Sequence, residues 1–460
     1  MQGIVNATFI AYYPATNTFV WEIPETVLLE DGTLLASEQD FVDYTNTQAI
    51  TTVSEPNYEW ELTATPNDPD FSLLWGLHNT TQSGGTNDAD IDAVEAWDTE
   101  KGDNTLVVGV IDTGIDADHE DLAANMHPTL GYDFINDDDN ADDDHGHGTH
   151  VAGTIAAVGD NGIGVSGVAW NVQLVPIKIF NAEGRTNTDA ILGAINYAIN
   201  NDIKITNNSW GGGGYSQVLY NTILNAQHAG HLFIAAAGNY AQNNDVTPFY
   251  PASYHLDNII SVAASDHNDN LASFGWAGSH YGATSVDIAA PGKDIYSTTI
   301  GDTYDYKRGT SMAAPHVAGA AALLWSYCPN LSFMDVKTML LDNVDVLPSF
   351  SGKCVSEGRL NVNNALQALT NNNCLEPIVN CLEADSLELV NLYYDLGGDN
   401  WTNNDGWLTA PVSEWHGITL TDDGCGVKEI DLSGTSSQDF GLVGNLMDWN
   451  FPRLTYLNLA

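Results

Sequence analysis

The 460-residue sequence predicts an α/β fold on a mostly parallel sheet, and three observations carry that expectation. Residues 106–111 form an unbroken apolar run of the type buried on both faces of a parallel sheet. A second apolar run, 232–235, leads into Ala-Ala-Ala-Gly-Asn, which ends at Asn239. Small, apolar, helix-compatible residues follow His147 (151–157) and Ser311 (312–324).

Taken in order, the chain opens with strand-like alternation at 7–13 and 18–23, then a polar stretch, 37–46, that reads as a short helix. The run 106–111 hands over Asp112 just before Thr113-Gly114, at the carboxyl end of a strand, where open α/β sheets keep their functional groups. The helix expected at 151–157 fixes the His147 imidazole at an element end. That expected at 312–324 places Ser311 in a first turn, where backbone N–H groups face a developing negative charge. A serine hydroxyl is a poor nucleophile alone; it needs a base, a group to orient the base, and donors for the oxyanion.

The order Asp112, His147, Ser311 is that of subtilisin, not of chymotrypsin or the α/β-hydrolases. Val-Ile-Asp-Thr-Gly-Ile-Asp, His-Gly-Thr-His-Val-Ala-Gly-Thr and Gly-Thr-Ser-Met-Ala-Ala-Pro-His-Val-Ala-Gly surround these residues, and together they closely resemble the subtilisin-like serine proteases. The resemblance spans about 66–369 and implies a subtilisin-like sheet with helices on both faces, within a peptidase domain at 64–370. It implies that Ser311 is the nucleophile and His147 its base. Of His145, His147 and His150, only His147 is followed by Gly-Thr-His. Asp112 would hold the imidazole tautomer. Asn239 would serve the oxyanion hole with the Ser311 N–H; losing such an asparagine costs about 2.7–4 kcal/mol. Ser209, Trp210, Gly211 and Gly238 would bind substrate, with 209–211 pairing as a strand with its backbone. Gly212 to Gly214 continue that tract as a mobile stretch.

The chain holds 61 acidic and 12 basic residues, for a net charge of −49. Nucleic-acid binding is thereby excluded, since phosphate contacts need clustered Lys and Arg. Such self-repulsion points to a salt-rich habitat or to cation dependence, against the alternative of an acidic secreted protein without special salt demand. At 43% hydrophobic and 10% aromatic residues the chain has ample core. Residues 133–144 contain seven aspartates and two asparagines, a density of hard oxygen ligands that suits Ca²⁺. In calcium-binding members of the resembled family the matching loop binds an ion, which makes Asp133, Asp138 and Asn140 candidate ligands. A second site would join Asp68, Asp121 and the loop 158–165, with side chains from Asp160 or Asn161 and carbonyls from Val158, Ile163 and Val165. The competing reading of both is a solvated acidic loop.

The ends differ in character. Residues 50–58, Ile-Thr-Thr-Val-Ser-Glu-Pro-Asn-Tyr, are similar to the end of subtilase propeptides, so 1–63 is expected to be a partial α+β propeptide that inhibits its own enzyme until self-cleavage between Tyr58 and Pro66. Met1 is followed by no basic segment and no sustained apolar run, so the recorded chain is expected to start inside a precursor. After a linker at 371–383, a helix is expected at 387–396. The segments 397–401 and 412–417 resemble the N-terminal cap of leucine-rich-repeat domains, with repeat strands at 427–432 and 454–459. Ile430 and Leu457 lie 27 residues apart, within the 20–29 range of such repeats. Since a stable stack takes about three repeats, 384–460 reads as the truncated start of a solenoid whose ligand is open, or as a small degenerate cap. Of the five cysteines, Cys328–Cys354 is the first expected pair and Cys374–Cys381 the second, with Cys425 left over. Paired thiols fit an extracellular or cell-surface protein. The whole predicts a secreted, calcium-stabilised, monomeric serine endopeptidase without a transmembrane segment, acting on proteins or peptides. An adhesion protein led by its repeats and a pseudoprotease scaffold are the competing classes.

Overall fold

The computed structural model describes residues 65–371 apart from Trp276, together with Cys374 and shorter stretches on either side. The chain divides into two compact units, Met1–Leu62 and Thr63–Ala460. In the first, β1 (Thr8–Tyr13) and β2 (Thr18–Glu22) form an antiparallel hairpin, and β3 (Val27–Leu28) pairs antiparallel with β4 (Leu34–Leu35). Of the expected helix at 37–46 only Tyr44 is described, helical and half-buried; the propeptide-like 50–58 lies outside the described residues, as do 397–401, Cys381, Cys425 and the cleavage region up to residue 64; of the helix at 387–396 only Leu389 and Leu392 are described, both buried.

The second unit is built on β5 (Val107–Asp112), β6 (Tyr132–Asp133), β7 (Gln173–Lys178), β8 (Ile205–Asn208), β9 (Leu232–Ala236), β10 (Ile259–Ser265), β11 (Ile288–Pro291), the hairpin β12 (Ile295–Thr299) and β13 (Thr303–Lys307), and the short edge strands β14 (Asp345–Val346) and β15 (Gly358–Arg359). Nine of these form one sheet in the order β14-β15-β11-β10-β9-β8-β5-β7-β6, parallel throughout except at the β14–β15 edge. The strands are apolar on both sides because both faces are covered. Val108 and Val110 of β5 and Leu232 and Ile234 of β9 enter one core; Ile111, Phe233 and Ala235 enter the other.

The α-helices within residues 65–371 are α1 (Ala93–Ala96), α2 (His147–Ala156), α3 (Thr188–Asn200), α4 (Gln217–His228), α5 (Thr310–Tyr327), α6 (Phe333–Asp342) and α7 (Val362–Asn371). The first core takes α2 and α5, the second α3 and α4, so helices lie on both faces as expected. A Cβ added at Gly319 of α5 would come within 3.2 Å of the Ile155 carbonyl of α2, and this lack of a side chain lets the two helices pack closely.

Both expected pairs, Cys328–Cys354 and Cys374–Cys381, are corrected. Cys328 is bonded to Cys374, Cα atoms 5.8 Å apart, which ties the end of α5 to the segment after α7. Cys354 is a free buried thiol against Ala237, Ala263, Val286 and Phe350, and burial pushes its pKa up. Spacing along the chain does not reveal that α7 returns beside the end of α5. Towards the C-terminus, β16 (Ile418–Leu420) pairs antiparallel with β17 (Val427–Asp431), and β17 pairs parallel with β18 (Tyr456–Asn458), placing Ile430 opposite Leu457.

Candidate active site

Asp112 ends β5 and Ser209 follows β8, its neighbour in the sheet, so both stand at the carboxyl edge where the strand order reverses. α2 and α5 start at this same edge. His147, the first residue of α2, bonds through Nδ1 to Asp112 Oδ1 at 2.7 Å. Asp112 also accepts the Thr113 N–H at 2.8 Å, and its Oδ2 is buried without a partner. That under-compensated carboxylate decides the imidazole's behaviour. Burial works against protonation of His147, but the charge and hydrogen bond of Asp112 outweigh it, and its pKa is raised above the usual 6.5. With Nδ1–H donating to Asp112, Nε2 keeps its lone pair, and a quarter of the side chain is exposed.

Ser311 sits in the first turn of α5, and Pro315 explains how it is held. Proline lacks an N–H, so the Ser311 carbonyl four residues back loses its helical donor. The Ser209 hydroxyl takes that place at 2.8 Å, and the Ser311 hydroxyl in turn donates to the Ser209 carbonyl at 3.0 Å. The structure thus joins Asp112 to His147 and Ser311 to Ser209. Among the described residues it shows no His147–Ser311 hydrogen bond, a contact that free sites often form only with substrate. Asn239 accepts from the Thr310 N–H at 2.8 Å and its hydroxyl at 3.0 Å through Oδ1, which leaves Nδ2 to donate elsewhere. The Ser311 N–H lies among the first helical donors, which lack an intrahelical acceptor.

Several positioning residues escaped the sequence reading. Asp143 accepts from the His145 and Gly146 N–H groups, the Thr113 hydroxyl, and both N–H and hydroxyl of Thr149, all at 2.6–2.9 Å. It therefore shapes the entry to α2, where Gly146 has φ 83°. The Thr113 hydroxyl receives the Gly148 N–H at 2.8 Å, and a Cβ on Gly148 would lie 2.1 Å from the Gly114 carbonyl. Lys178, buried at the end of β7, donates to the Thr113 carbonyl at 2.6 Å and to Asp144 at 2.7 Å. An aspartate three residues before a helix-opening glycine, and a lysine closing an apolar strand in a chain poor in bases, were the signals available.

The expected substrate residues gather here too. Ser209, Trp210 and Gly211 extend from β8, the Gly212 N–H donates to the Tyr250 carbonyl at 2.8 Å, and the Trp210 ring packs edge-on against Phe233. Gly238, at φ 115°, donates its N–H to the Thr310 hydroxyl at 3.1 Å.

Of the two cation sites expected, the structure gathers the two carboxylates and the loop of one. Asp68 and Asp121 are buried, and the loop 158–165 wraps both. Asp68 accepts the N–H groups of Asp160, Asn161 and Gly162 and the Ser166 hydroxyl; Asp121 accepts the Val165 N–H and the Asn161 side chain, both at 2.8 Å. Burial raises the Asp121 pKa to about 6, with the Asp68 charge adding to it, and among the described residues neither forms an ion pair. The Asp160 carboxylate turns away to the Asn67 N–H, 3.1 Å, so Asn161 faces the pair. Asp133 spends its carboxylate on Ile135 and Asn136 of its own turn, while Asp138 accepts the Asn140 N–H and both are exposed. No three His, Cys, Asp or Glu side chains converge as a metal-binding group among the described residues. A cation at Asp68–Asp121 would meet two carboxylates, donors of the hard kind Ca²⁺ takes, whereas the Asn161 Oδ1 is spent on the Ile163 N–H at 2.7 Å.

The family model described as Subtilase family matches residues 103–375. The chain is 38% identical over 322 residues to the thermophilic serine proteinase of Bacillus sp. (strain AK1), covering 70% of this chain and 74% of that protein. It is 36% identical over 303 residues to thermitase of Thermoactinomyces vulgaris, covering 66% of this chain and 99% of thermitase. A solved protease structure from Pseudoalteromonas arctica PAMC 21717 superposes with a TM-score of 0.56 at 31% identity, covering 66% of this chain and 99% of that one.

Proposed function

The chain belongs to the subtilase family and is a serine-type endopeptidase, and from that premise we propose that Asp112, His147 and Ser311 carry out its peptide-bond hydrolysis. The single observation that carries the assignment is the 2.7 Å Asp112–His147 bond at the strand edge that also holds Ser311. His147 Nε2 takes the Ser311 proton as Oγ attacks the substrate carbonyl carbon. Asn239 Nδ2 and the Ser311 N–H receive the oxyanion. His147 then gives the proton to the leaving amine, an acyl-enzyme remains, and water activated by His147 releases it. Substrate lies extended along 209–211. A fluorophosphonate that reacts with activated serines tests the assignment: it should label Ser311, located by peptide mass spectrometry, and labelling should vanish in His147→Ala. Equal labelling of that variant would contradict it.

The same proposal places calcium between Asp68 and Asp121, supported by their buried and unpaired charge. There the ion would tie three distant segments together without entering the chemistry. It keeps Asp133, Asp138 and Asn140 as a second cation site, for which only the acidic density speaks. It takes 1–63 as an inhibitory propeptide removed by self-cleavage, with the β1–β2 hairpin in keeping with that. The parallel β17–β18 pair, with Ile430 opposite Leu457, supports reading 384–460 as leucine-rich repeats whose partner is a further ligand. The Cys328–Cys374 bond supports an extracellular setting. No described helix is long and apolar enough to cross a membrane.

A further inference from the structure

We propose, on the reading that Ser311 is the nucleophile, that Phe249 restricts the residue on the acyl side of the scissile bond to a small side chain. The β8–β9 ladder ends at Asn208 opposite Ala235, and the segments beyond it, 209–211 and 236–239, reach the start of α5, Ser209 bonding to Ser311 and Asn239 to Thr310. A substrate paired along 209–211 with its carbonyl at Ser311 directs its side chain into the slot between them. Two rings already occupy that slot. A Cβ on Gly211 would lie 2.3 Å from Phe249 Cε1, and one on Gly238 would lie 2.5 Å from His280 Nδ1. The rings meet edge to face, centroids 5.2 Å apart at 74°. Only glycine at 211 and 238 admits them.

The filling is also fixed in place. The His280 N–H donates to the Gly238 carbonyl at 2.8 Å, and its Nδ1 bonds to Asn244 Oδ1 at 2.8 Å. Asn244 donates from Nδ2 to the Ala237 carbonyl at 3.0 Å, which sets its Oδ1 as acceptor and makes His280 Nδ1 the donor. Phe249 and Ser253 exchange hydrogen bonds at 3.0 and 2.9 Å. Phe249 is thus a specificity residue and His280 positions it. Glycine, alanine or serine fits beside the ring, whereas leucine or an aromatic side chain collides with it.

The test is kcat/KM for peptide anilides that differ only in the acyl-side residue, Ala, Ser, Leu or Phe. A ratio between two substrates of one preparation does not depend on how much of that preparation is folded. The wild-type protein should favour Ala over Phe at least about tenfold, and Phe249→Gly should shift that ratio towards Phe by at least about tenfold. His280→Ala should shift it the same way by less, whereas a purely structural histidine would lower all rates alike. A wild-type ratio near one, or a ratio unmoved in Phe249→Gly, overturns the role of Phe249 while leaving the protease reading intact. Absence of anilide hydrolysis together with absence of fluorophosphonate labelling would bring down both.

Discussion

Asp112 gives one carboxylate oxygen to His147 and keeps the other buried without a partner, so the imidazole beside it holds its proton more tightly than usual. The sign follows directly: a base must be neutral to act, so kcat/KM should fall as pH drops through a value above 6.5. Asp112→Asn should lower kcat roughly 10⁴-fold, because the asparagine favours the wrong tautomer. It should also draw the acidic limb of the pH profile downward, and a limb left in place would contradict the assigned coupling. These residues were legible because glycines and small residues surround them in long runs. Pro315, whose missing N–H frees the Ser311 carbonyl, was plain as a residue but not as a device, since the partner hydroxyl at Ser209 lies 102 positions away.

At the element scale, the sequence revealed β5 and β9 each to within one residue, because strands buried on both faces are continuously apolar. α2 begins at His147, ahead of the small-residue run that announces it, since its first turn is organised by Asp143 and Thr113 rather than by apolar packing. Asp143 lies within the acidic stretch read as metal-binding, and only its five donors reveal a structural role. Asp143→Ala should cost about 2–4 kcal/mol of stability, given the net worth of hydrogen bonds to a charged group, and lower kcat by misplacing His147. Unchanged urea unfolding would refute that role. The disulfide was illegible for a different reason: pairing depends on where α7 returns, which no local signal specifies.

Over the whole molecule the net charge of −49 leaves few cations to go round. Lys178 and Arg359 are spent inside the protein, Arg359 between Asp269 and Asp345. Burial still lifts Asp90 to about 7 from 3.8. Its folded state therefore holds a proton that the unfolded chain has lost, and stability from this group declines as pH rises between these values. Asp90→Asn should flatten that decline in thermal unfolding; an unaltered slope would exclude Asp90 as its source. Screening salt should raise the melting temperature, and chelation should lower it by several degrees through the Asp68–Asp121 pair. In Asp121→Asn the chelator effect should largely disappear, and its full persistence would place the ion elsewhere. Both the acidic excess and the loop 158–165 were visible in the sequence; which acids become buried was not.

The central claim is that Ser311, served by His147 and Asp112, breaks peptide bonds. Digestion of an unstructured protein by the purified full chain in calcium, beside Ser311→Ala prepared identically, measures it most directly. The account predicts fragments from the parent protein and, after the same time, intact substrate from the variant. Equal fragmentation by both would contradict it.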